Sequence, residues 1–293
     1  MSDDRDTQVE RRLVDVSGGA LEVFIAPARS SGPSVCAAHP AGVFTEGAAK
    51  LIREMAEVGA VCVNVRGIGQ SSAVPPGGAR YDLESMVDDL DVVRQRLGLD
   101  AWVFWGMSGG GWLGLEYAFR HPRALRGLIV ESACPCFRLR LADPACILSP
   151  FHPSWRAALD KLGLISPDSH AAIGDRDATE WIDVNGVGSV FRRCNGSALL
   201  VSPMPVAPEM RAAAPLLWTI DLRESLPAIR TPTLVIGGSA DPIVPLSHVQ
   251  SLHDGVAGSS LLIVEGGGHV PTTMRSKEVA DTARTFLRGC AAS

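Results

Sequence analysis

The sequence predicts an α/β fold: a mostly parallel central sheet with helices on both faces and one inserted segment. Three observations support this. Short apolar runs typical of strands alternate with amphipathic helical runs along most of the 293 residues. The alternation stops after Glu131 and resumes at Thr231, which indicates an insertion. Before the insertion, a glycine-rich turn joins a predicted strand to a predicted helix around Ser108. The chain length suits one large domain of this kind.

The first part of the chain, residues 1–133, supplies most of the predicted sheet. We expect strands where short runs of apolar or β-branched residues are bounded by Gly, Pro or Ser. Helices are expected where apolar residues recur at three- and four-residue spacing. The predicted strands are Val9–Val16, Ala20–Ile25, Pro33–His39, Ala60–Val65, Ala101–Trp105 and Arg126–Glu131, the first two forming a hairpin. The predicted helices are Thr45–Val58, Asp82–Leu97 and Trp112–Phe119.

Residues 134–224 break this pattern and are interpreted as an inserted cap. They are richer in Pro, Trp, His and Arg, contain no clean strand pattern, and include short helical fragments such as Trp155–Leu162. The insertion leaves from the carboxyl edge of the predicted parallel sheet, where such sheets bind ligands, so we expect it to cover the site. Alternation returns in residues 225–293. The predicted elements there are Thr233–Ile236, Ser247–His253, Ser260–Val264 and Ser276–Arg288.

Composition and charge narrow the classes of partner and location. The net charge of −5 and a pI near 5.8 favour neither nucleic acid nor an anionic membrane as a partner. The charged N-terminal stretch lacks the apolar core of a signal peptide, and no apolar run is long enough to span a bilayer, so we expect a cytoplasmic protein. The sequence does not indicate an oligomeric state.

The seven cysteines are interpreted as buried, reduced thiols, because most of them lie inside apolar runs. Cys134 and Cys136 flank a proline, but no second pair of metal ligands lies near them in the sequence. We therefore expect neither a metal site nor a cofactor.

The turn Gly106-Met107-Ser108-Gly109-Gly110 matches the pattern G-x-S-x-G. A strand-to-helix turn this tight needs small residues on both sides of the serine, whose hydroxyl then projects from the sheet edge. The first amides of the following helix point toward whatever the serine attacks, where they stabilise negative charge. The glycine spacing does not fit a dinucleotide site. The pattern therefore predicts that Ser108 is a nucleophile.

Two further residues complete a catalytic set with Ser108. A serine hydroxyl needs a base, and a neutral histidine oriented by a carboxylate is the usual one. His269 follows a predicted strand and three glycines, and Asp241 follows another predicted strand. The chain order Ser, Asp, His is the order of hydrolases that carry this turn. Glu131, at the end of the strand after the Ser108 helix, is the alternative acid.

These motifs resemble those of the α/β-hydrolase family, in its prolyl-aminopeptidase-like and serine esterase group. The resemblance covers residues 9–133 and 226–287 and implies an α/β-hydrolase fold, with Ser108 as nucleophile, Asp241 as acid and His269 as base. It depends on five motifs in the expected order: His39-Pro-Ala-Gly, Arg66-Gly-Ile-Gly-Gln-Ser, Gly106-Met-Ser-Gly-Gly, Pro232-Thr-Leu-Val-Ile-Gly-Gly-Ser-Ala-Asp-Pro and Gly268-His-Val-Pro.

The resemblance also implies an oxyanion hole made by the amides of Gly109 and Ala41. Relatives commonly have His-Gly where this chain has His39-Pro40. Proline has no N–H and a fixed φ, so Pro40 cannot donate, and a cis bond before it would redirect the loop. Gly42 is the alternative source of the second amide.

The leading functional hypothesis is a serine hydrolase that cleaves a carboxylic ester, thioester, lactone or amide of a small molecule through an acyl-enzyme on Ser108. An acyltransferase that uses the same chemistry with an alcohol or amine acceptor is the alternative. A third hypothesis is a non-catalytic binder or a lyase on the same scaffold. In each case the expected partner is a small molecule.

Overall fold

An eight-stranded, mostly parallel sheet forms the centre of the protein in the computed structural model, and this confirms the predicted fold class. The structure describes residues 8–28, 32–73, 81–165, 178–184, 188–193, 196–204, 206, 208, 211, 216–274 and 276–292. The strands of this sheet are β1 (Glu10–Val16), β2 (Gly19–Ala26), β3 (Val35–His39), β4 (Ala60–Asn64), β5 (Trp102–Met107), β6 (Leu125–Glu131), β10 (Thr233–Gly238) and β11 (Ser260–Val264).

The strand order is β1-β2-β4-β3-β5-β6-β10-β11. Strand β2 runs antiparallel to β1 and β4, and all the other pairs are parallel. The carboxyl ends of β3, β5, β6, β10 and β11 therefore meet at one edge of the sheet. Residues that directly follow these strands lie near one another although they are far apart in sequence.

Helices cover both faces of the sheet, as predicted. They are α1 (Glu46–Ala56), α2 (Leu83–Arg96), α3 (Gly109–Arg120), α6 (Leu246–Gly255), α7 (Pro271–Met274) and α8 (Ser276–Ala292). Successive strand residues point to opposite faces. Val103 accordingly packs in the core that α1 and α8 share, and its neighbour Phe104 packs in the core under α2 and α3. Helix α2 begins where the sequence predicts because the Asp82 side chain accepts the Ser85 N–H at 2.8 Å.

The segment between β6 and β10 contains more regular structure than the sequence indicates. Helices α4 (Phe137–Ala142) and α5 (Pro153–Lys161) precede three strands, β7 (Ala178–Val184), β8 (Gly188–Arg193) and β9 (Ala198–Ser202). These strands form a separate antiparallel sheet in the order β7-β8-β9. The sequence interpretation missed them because charged and aromatic residues are mixed in β7 and β8, which hides a simple apolar–polar alternation.

The two ends of this segment lie side by side, which we call the neck. Cys136 and Asp221 form an isolated antiparallel bridge. The N–H of Phe137 donates to Ile220 O at 3.1 Å, and the N–H of Leu222 donates to Pro135 O at 2.8 Å. The segment leaves the large sheet after β6 and returns to it at β10. These two strands pair directly, so the neck connects to two neighbouring strands.

The six cysteines in the described part of the chain are free and buried, whereas Cys194 lies outside it. Burial raises the pKa of the Cys62 thiol to about 12 and that of Cys134 to about 11. No described group of three or more His, Cys, Asp or Glu side chains is arranged to hold a metal ion. Among the helices described, none has the length and apolar character needed to cross a membrane.

Candidate active site

Ser108 lies in the turn between β5 and α3, with φ 51° and ψ −116°. This combination of positive φ and negative ψ is strained for a residue with a side chain. Two hydrogen bonds hold it in place. The Ser108 N–H donates to Glu131 O at 2.7 Å, and the Gly111 N–H donates to Ser108 O at 2.9 Å. The turn is therefore fixed both to the neighbouring strand β6 and to the first turn of α3.

Glycine at two positions of this turn is required by close backbone approach. A Cβ on Gly106 would overlap the carbonyl oxygen of Gly110, and a Cβ on Gly110 would lie 2.5 Å from the carbonyl oxygen of Ala38. Strand β5, helix α3 and the end of β3 meet here with no room for side chains. This explains physically why the sequence carries small residues around Ser108.

The structure brings Ser108, His269 and Asp241 together at the carboxyl edge of the sheet. The Nε2 atom of His269 lies 3.1 Å from Ser108 Oγ, and its Nδ1 atom lies 2.9 Å from Asp241 Oδ2. Asp241 follows β10, and His269 follows β11. The three residues thus form a continuous hydrogen-bonded series from a buried carboxylate to a hydroxyl.

The carboxylate of Asp241 is held by its own loop. Its Oδ1 atom accepts the N–H groups of Ile243 at 2.8 Å and Val244 at 3.0 Å. Its side chain is fully buried, whereas the His269 side chain is 19% exposed. One carboxylate oxygen is therefore anchored by the backbone, and the other is left to orient the imidazole.

Glu131, the alternative acid, binds a different partner. One carboxylate oxygen accepts the N–H of Thr272 at 2.9 Å and a short hydrogen bond from its hydroxyl. The other oxygen accepts Trp105 Nε1–H at 3.1 Å. Burial raises the pKa of Glu131, and these hydrogen bonds partly oppose that effect. Glu131 therefore contacts the segment that carries His269, while Asp241 contacts the His269 ring. Nothing in the sequence pattern singles out Thr272, whose role follows only from the packing.

In the loop after β3, the backbone of Ala41 contacts the side chain of His39. The Ala41 N–H donates to Nδ1 of His39 at 3.0 Å, so this donor is engaged within its own loop. The His39–Pro40 peptide bond is trans. The Pro40 carbonyl accepts a short hydrogen bond from the Tyr81 hydroxyl. Gly109, the other expected donor, is the first residue of α3, so its N–H has no partner within the helix.

An apolar cavity of about 410 Å³ lies next to the Ser108 turn, on the face of the sheet that α1 covers. Its wall includes Met107, the residue before Ser108 in the sequence, and Val270, the residue after His269. Most of its remaining wall comes from α1 and from the loop that precedes α1. The lining residues are Ala37, Ala38, His39, Gly42, Val43, Phe44, Ala48, Leu51, Ile52, Met55, Trp105, Met107, Glu131, Val270 and Thr272.

Comparisons with known proteins agree with this architecture. The sequence profile of the alpha/beta hydrolase family matches residues 24–282. A relative from Rhizobium rhizogenes, which bears the name carbamate hydrolase RutD, is 27% identical over 228 residues. The match covers 76% of this chain and 80% of the relative. A relative from Edwardsiella ictaluri, named pimeloyl-[acyl-carrier protein] methyl ester esterase, is 28% identical over 218 residues. The match covers 71% of this chain and 75% of the relative.

A solved structure also shares the fold. An alpha/beta fold family hydrolase from Bacillus anthracis superposes with a TM-score of 0.71. The match covers 96% of this chain and 100% of that one at 16% sequence identity. At this identity the likeness concerns the arrangement of helices and strands.

Proposed function

Because the chain belongs to the alpha/beta hydrolase family, we propose that it is a serine hydrolase that cleaves a carboxylic ester, or a related thioester, lactone or amide, through an acyl-enzyme on Ser108. The observation that supports this proposal is the hydrogen-bonded series from Asp241 through His269 to Ser108 Oγ, with its two distances of 2.9 and 3.1 Å. This is the geometry a general base needs to take the proton of a hydroxyl.

In the first half of the reaction, Ser108 Oγ attacks the substrate carbonyl carbon while His269 Nε2 takes the serine proton. The carbonyl π pair moves to the oxygen, giving a tetrahedral oxyanion. When this intermediate collapses, the bond to the leaving group breaks, and the leaving group takes the proton from His269. The acyl group remains on Ser108.

In the second half, His269 takes a proton from water, whose oxygen attacks the acyl carbon. Collapse of the second tetrahedral intermediate releases the acid and returns the proton to Ser108. Asp241 keeps the proton-bearing Nδ1 of His269 directed at itself, so that Nε2 faces the serine. It also stabilises the imidazolium that exists during each half-reaction.

The surroundings of Ser108 support the proposed substrate class. The cavity beside Met107 has mostly apolar walls, which favours an apolar acyl or alkoxy group. The relatives named as a methyl ester esterase and for carbamate hydrolysis would both cleave a bond between a carbonyl carbon and an oxygen or nitrogen. We propose that residues 134–224 form a cap over this site, between core parts 1–133 and 225–293.

The proposal is tested by labelling the wild-type protein with a fluorophosphonate, which forms a bond to an activated serine oxygen with loss of fluoride, followed by peptide mapping. We expect one labelled residue, Ser108, and hydrolysis of p-nitrophenyl acyl esters in a chain-length series. Ser108→Ala should abolish both. Ser34→Ala is the matched control, because Ser34 lies just before β3 at the opposite edge of the sheet.

Absence of labelling in the folded wild type would contradict the proposal and favour a non-catalytic binder. Comparing free acid with acyl product in the presence of an added alcohol separates hydrolysis from acyl transfer.

A further inference from the structure

His39 is the side chain near Ser108 that the proposed mechanism leaves without a role. It ends β3, and its ring forms part of the cavity wall. Two glycines border the ring. A Cβ on Gly42 would lie 3.0 Å from its Nδ1 atom, and a Cβ on Gly109 would lie 2.9 Å from Nε2. The ring edge that carries Nε2 therefore lies against Gly109, the residue that follows Ser108.

The hydrogen bond at Nδ1 fixes which ring nitrogen of His39 carries the proton. Nδ1 accepts the Ala41 N–H at 3.0 Å, so its lone pair is occupied. In a neutral imidazole the proton must then reside on Nε2. The hydrogen bond of the His39 ring to a described residue is the one at Nδ1, and Nε2 is not among the fully buried polar atoms of the described residues, so this N–H is available to a bound molecule.

The surroundings also keep the His39 ring neutral. Burial, reinforced by the nearby His269, lowers the pKa of His39 to about 4. A charged ring at this position would oppose the protonation of His269 that acyl transfer requires. A neutral ring avoids that repulsion and still donates through Nε2–H, and a neutral imidazole is able to polarise a carbonyl in this way.

We propose that His39 Nε2–H and the Gly109 N–H together form the oxyanion hole of the reaction proposed above, and this inference rests on that proposed function. The Ala41 N–H, expected from the family resemblance to serve there, instead positions the His39 ring. As Ser108 Oγ bonds to the carbonyl carbon, the π pair moves to the oxygen and the serine proton moves to His269. Both donors keep their own protons and strengthen their hydrogen bonds as negative charge develops on the oxygen.

Two substitutions at His39 separate a donor role from a loop-holding role. The side chain of His39→Asn reaches only the Nδ1 position, so it still accepts the Ala41 N–H but offers no donor toward Gly109. The side chain of His39→Gln reaches the Nε2 position and restores a donor there. We expect His39→Asn to lower kcat about 10²- to 10³-fold with little change in KM, and His39→Gln to recover most of that loss.

A trifluoromethyl ketone, which forms a tetrahedral oxyanion on Ser108, gives a second readout. Its inhibition constant should rise with His39→Asn in parallel with the loss of kcat/KM, because both depend on the charged oxygen. Circular dichroism and thermal unfolding establish that each variant is folded. A folded His39→Asn variant with kcat within threefold of wild type would overturn the inference, as would a His39→Gln variant that is equally impaired.

A measurement on the wild type alone covers the case in which the variants do not fold. In protein labelled with ¹⁵N-histidine, we expect His39 to carry its proton on Nε2, and this proton to move downfield when the ketone binds. An unchanged Nε2–H resonance would overturn the inference. Fluorophosphonate labelling of the wild type keeps the two proposals distinct. If the wild type is not labelled, both the serine hydrolase proposal and the oxyanion-hole inference are wrong. If it is labelled and the His39→Asn variant stays active, only the oxyanion-hole inference is wrong.

Discussion

The N–H of Ser108 donates to the main-chain carbonyl of Glu131 at 2.7 Å, so the residue at the end of β6 holds the strained serine in its turn. The side chain of the same glutamate accepts two hydrogen bonds from Thr272, three residues after His269. One buried residue, Glu131, therefore ties the turn that carries Ser108 to the segment that carries His269.

Glu131→Gln tests whether this residue supports the site or acts as the acid. Glutamine has one acceptor oxygen where the carboxylate has two, so one donor, on Thr272 or Trp105, faces an NH₂ group. We expect the free energy of unfolding to fall by about 1–3 kcal/mol. Because Asp241, and not Glu131, contacts the His269 ring, kcat at a temperature well below Tm should fall less than tenfold. A loss of 10³-fold or more would identify Glu131 as the acid instead. Urea unfolding and steady-state kinetics provide the two measurements.

Asp241→Asn removes the negative charge that lies 2.9 Å from His269 Nδ1. The amide would present an NH₂ group to Nδ1 and favour the wrong tautomer, so we expect kcat to fall about 10³- to 10⁴-fold while the fold is kept. Asp143→Asn is a matched control, because Asp143 Oδ2 lies 2.9 Å from His248 Nε2 in a similar carboxylate–imidazole pair. Its kcat should stay close to wild type. Equal losses in the two variants would show that the effect is not specific to Asp241.

Ser108→Gly separates catalysis from stability. The positive φ of 51° strains any residue that carries a Cβ, by about 1–3 kcal/mol. Glycine removes that strain but adds flexibility to the unfolded chain. We therefore expect Ser108→Gly to be inactive yet more stable than Ser108→Ala by roughly 1 kcal/mol. Urea unfolding of the two variants measures the difference. A less stable glycine variant would mean that the turn does not store strain.

The low pKa of His39 makes stability depend on pH. The ring binds its proton with a pKa near 6.5 when unfolded but about 4 when folded, so acid favours the unfolded chain. The stability that the neutral His39 ring contributes to the fold is fully present above about pH 6.5. It decreases as the pH drops to about 4, by at most roughly 3 kcal/mol.

His39→Gln lacks this titration while keeping every other titrating group. The free energy of unfolding of the wild type should therefore fall relative to that of His39→Gln as the pH is lowered from 7 to 4.5. Urea unfolding at several pH values measures this change. A difference that stays constant with pH would show that the folded ring titrates normally.

Narrowing the apolar cavity should change substrate preference. Ala48 of α1 lines the cavity, and Ala48→Phe places a ring inside it. If the acyl group enters this space, KM for long-chain p-nitrophenyl esters should rise while the acetate ester is little affected. Lys50→Phe introduces the same ring on an exposed position of α1 and is the matched control. An unchanged chain-length profile would place the acyl group elsewhere.

The parts of the site that follow from strand order were predictable from the sequence. Ser108, Asp241 and His269 each follow a strand, and the parallel sheet brings their positions to one edge. The strand–helix alternation likewise indicated the elements of the large sheet, with ends shifted by a few residues. These features depend on local patterns that repeat with a fixed period.

The parts that depend on packing between distant segments were not predictable. No pattern links Glu131 to Thr272, because their contact depends on how β6 and the start of α7 are placed in space. The engagement of Ala41 by His39 depends on the path of a three-residue loop through Pro40. Strands β7 and β8 of the small sheet were missed because they do not separate polar from apolar residues.

The neck at Cys136 and Asp221 has an evolutionary consequence. A segment whose two ends are already joined can be lengthened, shortened or replaced while neighbouring β6 and β10 stay paired. If this segment covers Ser108 as proposed, such a change would alter which molecules reach Ser108 and leave the contacts among Ser108, His269 and Asp241 in place.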